Sequence, residues 1–407
     1  MTLDVFASQR SGPWTPRVAL ALAVLAAAAF VYVTAEIMPV GALPAIAADL
    51  GVSEAVVGTL LGGYALVAAV ATVPLVRWTA AWPRRRIFLI TLVSLALSQV
   101  ISALAPSFAV LALGRVLCAL THGLMWSVIA PIGARLVPAS HVTRATTSVY
   151  VGTGLALVVG SPLTAAMSQV WGWRLAVAAM AVAAVVVLLA ARLALPPMPM
   201  SDAAVTAGSS HRNHHRNRKL LGMTALTLIG VTGHFISYTF IVVIIRDVVG
   251  LGGSNLAWLL AGYGVAGLAA MGLLARPGDR RPRATILGCL AGLAAVFAVL
   301  AVLAAGQPSL LVGIVAIIGW GATATAMPPM LQSAAMRHSP QDPDGASGLY
   351  VAAFQIGIMA GSLAGGLLFS HAGAVGILVA SALLILCALT CATLSRDLLA
   401  GPVTSTK

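Results

Sequence analysis

Twelve apolar runs, each close to 20 residues, set what this chain can become. They cover 17–38, 54–76, 86–105, 107–136, 144–168, 174–195, 220–246, 254–275, 284–305, 308–336, 345–370 and 373–395. A helix of about 20 residues crosses a hydrocarbon core of ~30 Å. In lipid a span must satisfy its backbone internally, so these runs predict helices and not open sheets. Charged residues make up only 8% of the 407, against about 25% in soluble domains, so the surface is not built for water. The first run starts beyond Arg17 and eleven follow it, so it reads as a span and not as a cleaved leader. The cysteines, Cys118, Cys289, Cys387 and Cys391, sit inside apolar runs and read as small hydrophobes, without a disulfide framework.

One long polar interruption, 196–219, divides the chain into an N-terminal six-helix bundle (1–195) and a C-terminal six-helix bundle (220–407). With the N-terminus placed in the cytoplasm, the even-numbered loops carry the cations, from Arg77, Arg84, Arg85, Arg86, Arg135 and Arg144 to Arg276, Arg280, Arg281, Arg283 and Arg337. The odd loops hold only Arg174 and Arg246. This bias predicts both termini in the cytoplasm. It also accounts for the net charge of +13 through the anionic inner leaflet, without nucleic acid. The tract with His211, His214 and His215 lies in the linker and reads as a solvated connection rather than a metal site.

The halves repeat each other. Leu60-Leu61-Gly62-Gly63-Tyr64 matches Leu259-Leu260-Ala261-Gly262-Tyr263 at an offset of 199, and the same register aligns Arg77 with Arg276, Pro83 with Pro282 and Arg84 with Arg283. A weaker echo pairs Tyr150-Val151 with Tyr350-Val351. Parallel repeats predict a pseudo-twofold along the membrane normal, with a solute site at midplane between the halves.

Several stretches carry a family resemblance: TAEIMPVGALPAIAADLGVS (34–53), PRRR (83–86), RVLCALTHGLMWSVIAP (115–131), GTGLALVVGSPL (152–163), VTGHFISYTFI (231–241) and FQIGIMAGSLAGG (354–366). Over roughly residues 15–395 the chain resembles the major facilitator superfamily, in its twelve-helix drug–proton antiporter branch. It looks most like bacterial sugar efflux transporters; chloramphenicol and purine efflux proteins share several of these stretches. The resemblance implies an all-α membrane protein, with twelve transmembrane helices in two pseudo-symmetric six-helix bundles. The family's 2–3 loop motif wants a glycine and an aspartate ahead of its basic cluster. Here Pro74 and Trp78 stand near those places, and Arg84, Arg85 and Arg86 match. The second copy moves its acid to Asp279, so a weaker charge latch is expected. In helix 5 the motif keeps Gly154, Gly160 and Pro162, with Ser161 in place of a glycine. Kinking is expected to survive there, with close packing less assured.

Few polar groups interrupt the spans. Glu36 is the only acid in a first-half span, and an intramembrane carboxylate marks an ion pathway by default. Arg115 and His122 share a face of helix 4, seven residues apart. A pairing of Arg115 with Glu36 is expected, either to couple proton to solute or to lock helix 1 on helix 4; the family uses an arginine at this place. His122, one turn from Trp126, reads as a solute-binding imidazole beside an indole more than as a proton carrier. His234 and Tyr238 on one face of helix 7, and Gln355 on helix 11, are second-half candidates; interhelical glue is the plain reading of each.

No phosphate-binding G-x-x-x-x-G-K-[ST] loop, metal-ligand spacing or Ser/His/Asp set appears, so neither an ATP-driven pump nor an enzyme is expected, and no cofactor. The expectation is a monomeric, proton-coupled secondary transporter of a bacterial inner membrane, exporting a sugar or drug-like solute by alternating access. The alternatives are a chloramphenicol- or purine-type pump of the same superfamily and a non-transporting sensor.

Overall fold

The computed structural model describes residues 14–198, 217–306 and 309–399. Among these, ten helices are long and apolar enough to cross a bilayer. One of them, Pro343–Leu394, is two helices joined at Gly373 (φ 58°, ψ −154°), and Glu54–Trp78 is a further span, which brings the number to twelve. They are α1 (Pro16–Gly41), α2 (Glu54–Trp78), α3 (Arg84–Ala103), α4 (Phe108–Arg135), α5 (Val142–Leu155, a π turn Ala156–Gly160, then Ser161–Trp171) and α6 (Trp173–Ala194). The second set is α7 (Arg218–Tyr238, running on irregularly to a π turn Ile244–Val249), α8 (Gly253–Arg280), α9 (Pro282–Ala304), α10 (Leu310–Arg337), α11 (343–372) and α12 (374–394). The polar tract around His211 and the chain ends fall outside the described residues.

Local chemistry sets the ends. Thr15 caps α1, its Oγ1 accepting from the Val18 amide at 3.3 Å, and Pro16 opens the helix where no amide donor is needed. Gly172 (φ 86°) makes the tight turn from α5 to α6, and Gly373 does the same between α11 and α12, in backbone conformations that side chains resist. The outward faces carry leucine and valine, such as Leu193, Leu273 and Leu311, as a lipid-facing surface requires.

The same neighbours recur in both halves. α3 packs on α4 and α6, as α9 packs on α10 and α12; α2 packs on α4, as α8 packs on α10; α1 packs on α5, as α7 packs on α11. Glycine permits the closest of these approaches. A Cβ at Gly152 would run into the Ala26 carbonyl of α1, and Gly357, Gly361 and Gly365 let α11 lie against the α7 backbone. Gly366, which the sequence groups with them, faces open space. Contrary to expectation, α5 is closely packed despite Ser161: Gly160 abuts Thr34 of α1, and Gly154 abuts Leu268 of α8 in the opposite half. The irregularity is a π turn ending at Gly160, two residues before Pro162.

The halves meet along α2 and α4 against α11, and α5 against α8 and α10. Their polar contacts cluster at the arginine-rich ends of the helices, on the side of Arg84, Arg135 and Arg144.

Candidate functional site

In the first half, α1, α2 and α4 enclose a polar knot. Arg115 is buried, and its guanidinium is aimed at the α1 backbone: Nη1 donates to the Ala35 carbonyl at 2.7 Å, and Nη2 to the Glu36 carbonyl at 2.6 Å. It also lies over the Tyr64 ring, 4.8 Å from the centroid. The expected Arg115–Glu36 charge pair is therefore absent among the described contacts; Pro39 inside α1 has no amide N–H to offer the Ala35 carbonyl, and the guanidinium fork takes that carbonyl and its neighbour. The Glu36 carboxylate, 21% exposed, faces His122 instead, with Oε2 at 3.8 Å from Nδ1. The Tyr64 hydroxyl lies 2.9 Å from that same Nδ1 and 3.4 Å from the Cys118 sulfur.

Around this knot stand aromatic rings. His122 is edge-on to Tyr32 and Tyr64 and tilted toward Trp126, which leads on to Tyr150 at 5.2 Å. Tyr32 donates to the Thr91 carbonyl at 3.0 Å and sits 3.1 Å from the Thr121 hydroxyl. Chemically, the knot sets a carboxylate 3.8 Å from an imidazole nitrogen, within ion-pair range and beyond direct hydrogen-bond distance, with the Tyr64 hydroxyl on that nitrogen. An arginine that holds no carboxylate stands beside them.

The second half builds an aromatic nest. His234 stacks on Tyr238 at 5.0 Å, as the spacing on α7 predicts, and also meets Phe235 edge-on. Trp320 of α10, wholly buried, donates its indole N–H to His234 Nδ1 at 3.1 Å and packs edge-on against Tyr238, Tyr263 and Phe297. The repeat tyrosines thus take corresponding duties: Tyr64 abuts His122, and Tyr263 abuts the cluster of His234. Gln355 is buried on α11 and makes no hydrogen bond among the described residues. Among the described residues, no three His, Cys, Asp or Glu side chains gather as a metal site.

Comparison with known proteins fits this architecture. The sequence profile of the Major Facilitator Superfamily matches residues 25–345 and 223–403. The chloramphenicol efflux pump Rv0191 of Mycobacterium tuberculosis (strain H37Rv) is 62% identical over 397 residues, which is 97% of this chain and 96% of the relative. The chain belongs to the major facilitator superfamily. Among solved structures it is similar to the human organic anion transporter MFSD10, with TM-score 0.73, 16% identity, and coverage of 93% of this chain and 100% of the other. It is similar also to the transporter FucP in its outward conformation, with TM-score 0.73, 15% identity, and coverage of 92% and 98%. At such identities these two likenesses concern the fold alone.

At the arginine-rich end, ion pairs tie the two halves together. Asp344, in the first turn of α11, takes Arg84 Nε at 2.7 Å and Arg135 Nη2 at 2.6 Å. Asp279 at the end of α8 takes Arg144 Nε at 2.7 Å and the Thr143 amide at 2.8 Å, near the start of α5. The displaced acid of the second motif therefore still bridges the halves. Arg85 and Arg86 stay within their own half: Arg85 donates to the Arg192 carbonyl, and Arg86 lies over the Trp82 ring at 5.3 Å. Gln332 of α10 adds a link to the Trp126 carbonyl at 3.1 Å.

Sequence reasoning missed Tyr64, Trp320, Asp344, Arg135 and Arg144 as functional groups. A signal existed for two of them. Asp344 is an acid in a helix first turn, where the dipole favours it, and Tyr64 belongs to the internal repeat.

Proposed function

We propose that this superfamily member is a proton-driven exporter of a small, uncharged, drug-like solute of the chloramphenicol class, across a bacterial inner membrane. The observation that carries the reading is the 62% identity, spread over 97% of the chain, to a chloramphenicol efflux pump. That relative turns the choice between sugar and drug toward the drug. The cation bias of the loops supports the arginine-rich end, with both termini, as the cytoplasmic face. A single chain supplies both walls of the path, which fits a monomer.

Glu36 and His122 are the proton-carrying pair in this reading. In this reading, a molecule latched through Asp344 and Asp279 at its cytoplasmic end is in the state that releases solute and takes up protons from outside. Proton loading of the pair removes the charge that the Glu36 carboxylate presents to the interior and favours the return to the inward-facing state. There a solute displaces the proton. Trp126, His234, Tyr238 and Gln355 line the solute path, and Gly154, Gly160 and Pro162 let α5 slide against α1 and α8 as the halves rock. Arg115 acts by holding the α1 backbone that carries Glu36.

The test uses everted inner-membrane vesicles with an imposed proton gradient. Chloramphenicol is expected to drain the gradient in the wild type and not in Glu36→Gln. Drainage by arabinose but not by chloramphenicol would return the solute to the sugar class. No response to either would sink the exporter reading and favour a sensor.

A further inference from the structure

The two intramembrane histidines differ in what holds Nδ1. His122 Nδ1 meets a hydroxyl at 2.9 Å and a carboxylate at 3.8 Å, both of which can accept from a protonated ring. His234 Nδ1 meets the indole Nε1 of Trp320 at 3.1 Å, and an indole nitrogen only donates. Nδ1 of His234 must therefore keep its lone pair, and the ring hydrogen sits on Nε2. Protonating this ring would set one N–H against another.

Trp320 has little room to turn aside. It is wholly buried, with Phe297 edge-on at 4.9 Å, Tyr263 at 6.0 Å and Tyr238 at 6.4 Å, and its N–H has no other acceptor among the described residues. A buried indole N–H needs a partner, and His234 is the one it has. The Nε2 side of His234 makes no hydrogen bond among the described residues, and His234 as a residue is only half-buried where Trp320 is wholly so. Tyr238 stacks along the imidazole, 27° from parallel.

We propose that Trp320 is a positioning residue that fixes His234 as a neutral Nε2–H donor, reserved for an acceptor oxygen of an uncharged solute whose ring packs in the Tyr238 nest. His234 then takes no part in the proton cycle, which the first half performs alone. This rests on the exporter reading above for the solute, but not for the state of the ring.

The first test is nitrogen NMR of the full chain, labelled at histidine nitrogens, in nanodiscs without solute, with His234→Gln to assign the signal. His234 is expected to show an unprotonated Nδ1 and a protonated Nε2, unchanged from about pH 5 to 8, the window in which an ordinary histidine titrates. In Trp320→Phe the hydrogen is expected to be shared between Nδ1 and Nε2. A wild-type His234 that titrates in that window, or that carries its hydrogen on Nδ1, overturns the proposal. If Trp320→Phe does not fold, the wild-type spectrum still decides.

The second test is chloramphenicol-driven proton flux in everted vesicles. Trp320→Phe and His234→Leu are expected to raise KM about tenfold, the effect of one lost hydrogen bond, with protons per solute unchanged. His234→Gln, whose amide N–H takes the Nε2 position, is expected to recover most of the affinity. A changed proton-to-solute ratio in His234→Gln overturns the division of labour. A wild type that does not respond to chloramphenicol fails the solute reading, while the spectrum still judges the ring.

Discussion

Arg115 and Glu36 are bound to each other through the backbone and not through their charges. The guanidinium of Arg115 takes the Glu36 carbonyl at 2.6 Å, and the Glu36 side chain turns to His122. One residue thus supplies an acceptor that fixes α1 and an acid that is left without a permanent countercharge. Had the guanidinium held the carboxylate, proton loading would have had to break a buried ion pair, at a cost of several kcal/mol.

Replacing Arg115 is expected to damage placement before chemistry. Arg115→Met removes a donor from two α1 carbonyls, one of which, at Ala35, faces Pro39 and has no helical amide, and is expected to cost about 3 kcal/mol of stability in detergent. Arg115→Lys brings one ammonium where a planar fork bonds two carbonyls, and is expected to recover less than half of that loss. Thermal unfolding of purified variants measures both. Equal melting temperatures for wild type and Arg115→Met would contradict the assignment.

Asp344 holds two arginines from the opposite half, so Asp344→Asn is expected to loosen the latch. Ser347→Cys, one turn into α11 and beside Gln332, placed in a chain whose four native cysteines are changed to alanine, should label with an impermeant maleimide about tenfold faster in the variant. The reagent must reach the arginine-rich face. An unchanged rate would mean that apolar contacts such as Val76 on Gly348 hold that end shut by themselves.

The glycines of α5 are not equivalent. A methyl at Gly152 meets the α1 backbone at Ala26, which cannot move aside, whereas one at Gly154 meets the flexible end of Leu268. Gly152→Ala is therefore expected to destabilise by about 2–3 kcal/mol and Gly154→Ala by less than about 1 kcal/mol. Gly154→Ala is nonetheless expected to slow transport, since its neighbour belongs to the other half and must slide past it. Melting curves and vesicle flux separate the two effects.

His338, just beyond α10 and outside the span, has Nε2 2.6 Å from the Leu398 carbonyl. Burial holds it below the usual histidine value; Arg337 and Lys219 push the same way, and the Leu398 carbonyl opposes them. The folded chain therefore binds fewer protons here than the unfolded chain. The stabilisation is complete above the unfolded value of about 6.5, is lost as pH falls below it, and levels off below the folded value. Hydrogen exchange at Arg396–Leu399, corrected for the intrinsic rate, is expected to speed up between about pH 7.5 and 5. His338→Gln should remove that pH dependence.

The spans, the repeat and the intramembrane polar residues were legible because each is a local property. Hydropathy over about 20 residues decides what crosses the bilayer, and Glu36, Arg115, His122 and His234 stand out against apolar neighbours wherever the helices go. The sharing of one face by His234 and Tyr238 was legible too, since helical spacing fixes it. Partners were not. Arg84 meets Asp344 across 260 residues, and Trp320 meets His234 across 86. Those meetings depend on how each helix is rotated about its axis and on which helices pack together. Sequence alone determined that this chain is a twelve-span membrane protein in two related halves, with a few ionisable groups inside. Only the tertiary structure decided that Arg115 bonds the α1 backbone, that His122 faces Glu36 and that Trp320 donates to His234, because hydrogen bonds form or fail over a few tenths of an ångström that packing alone sets.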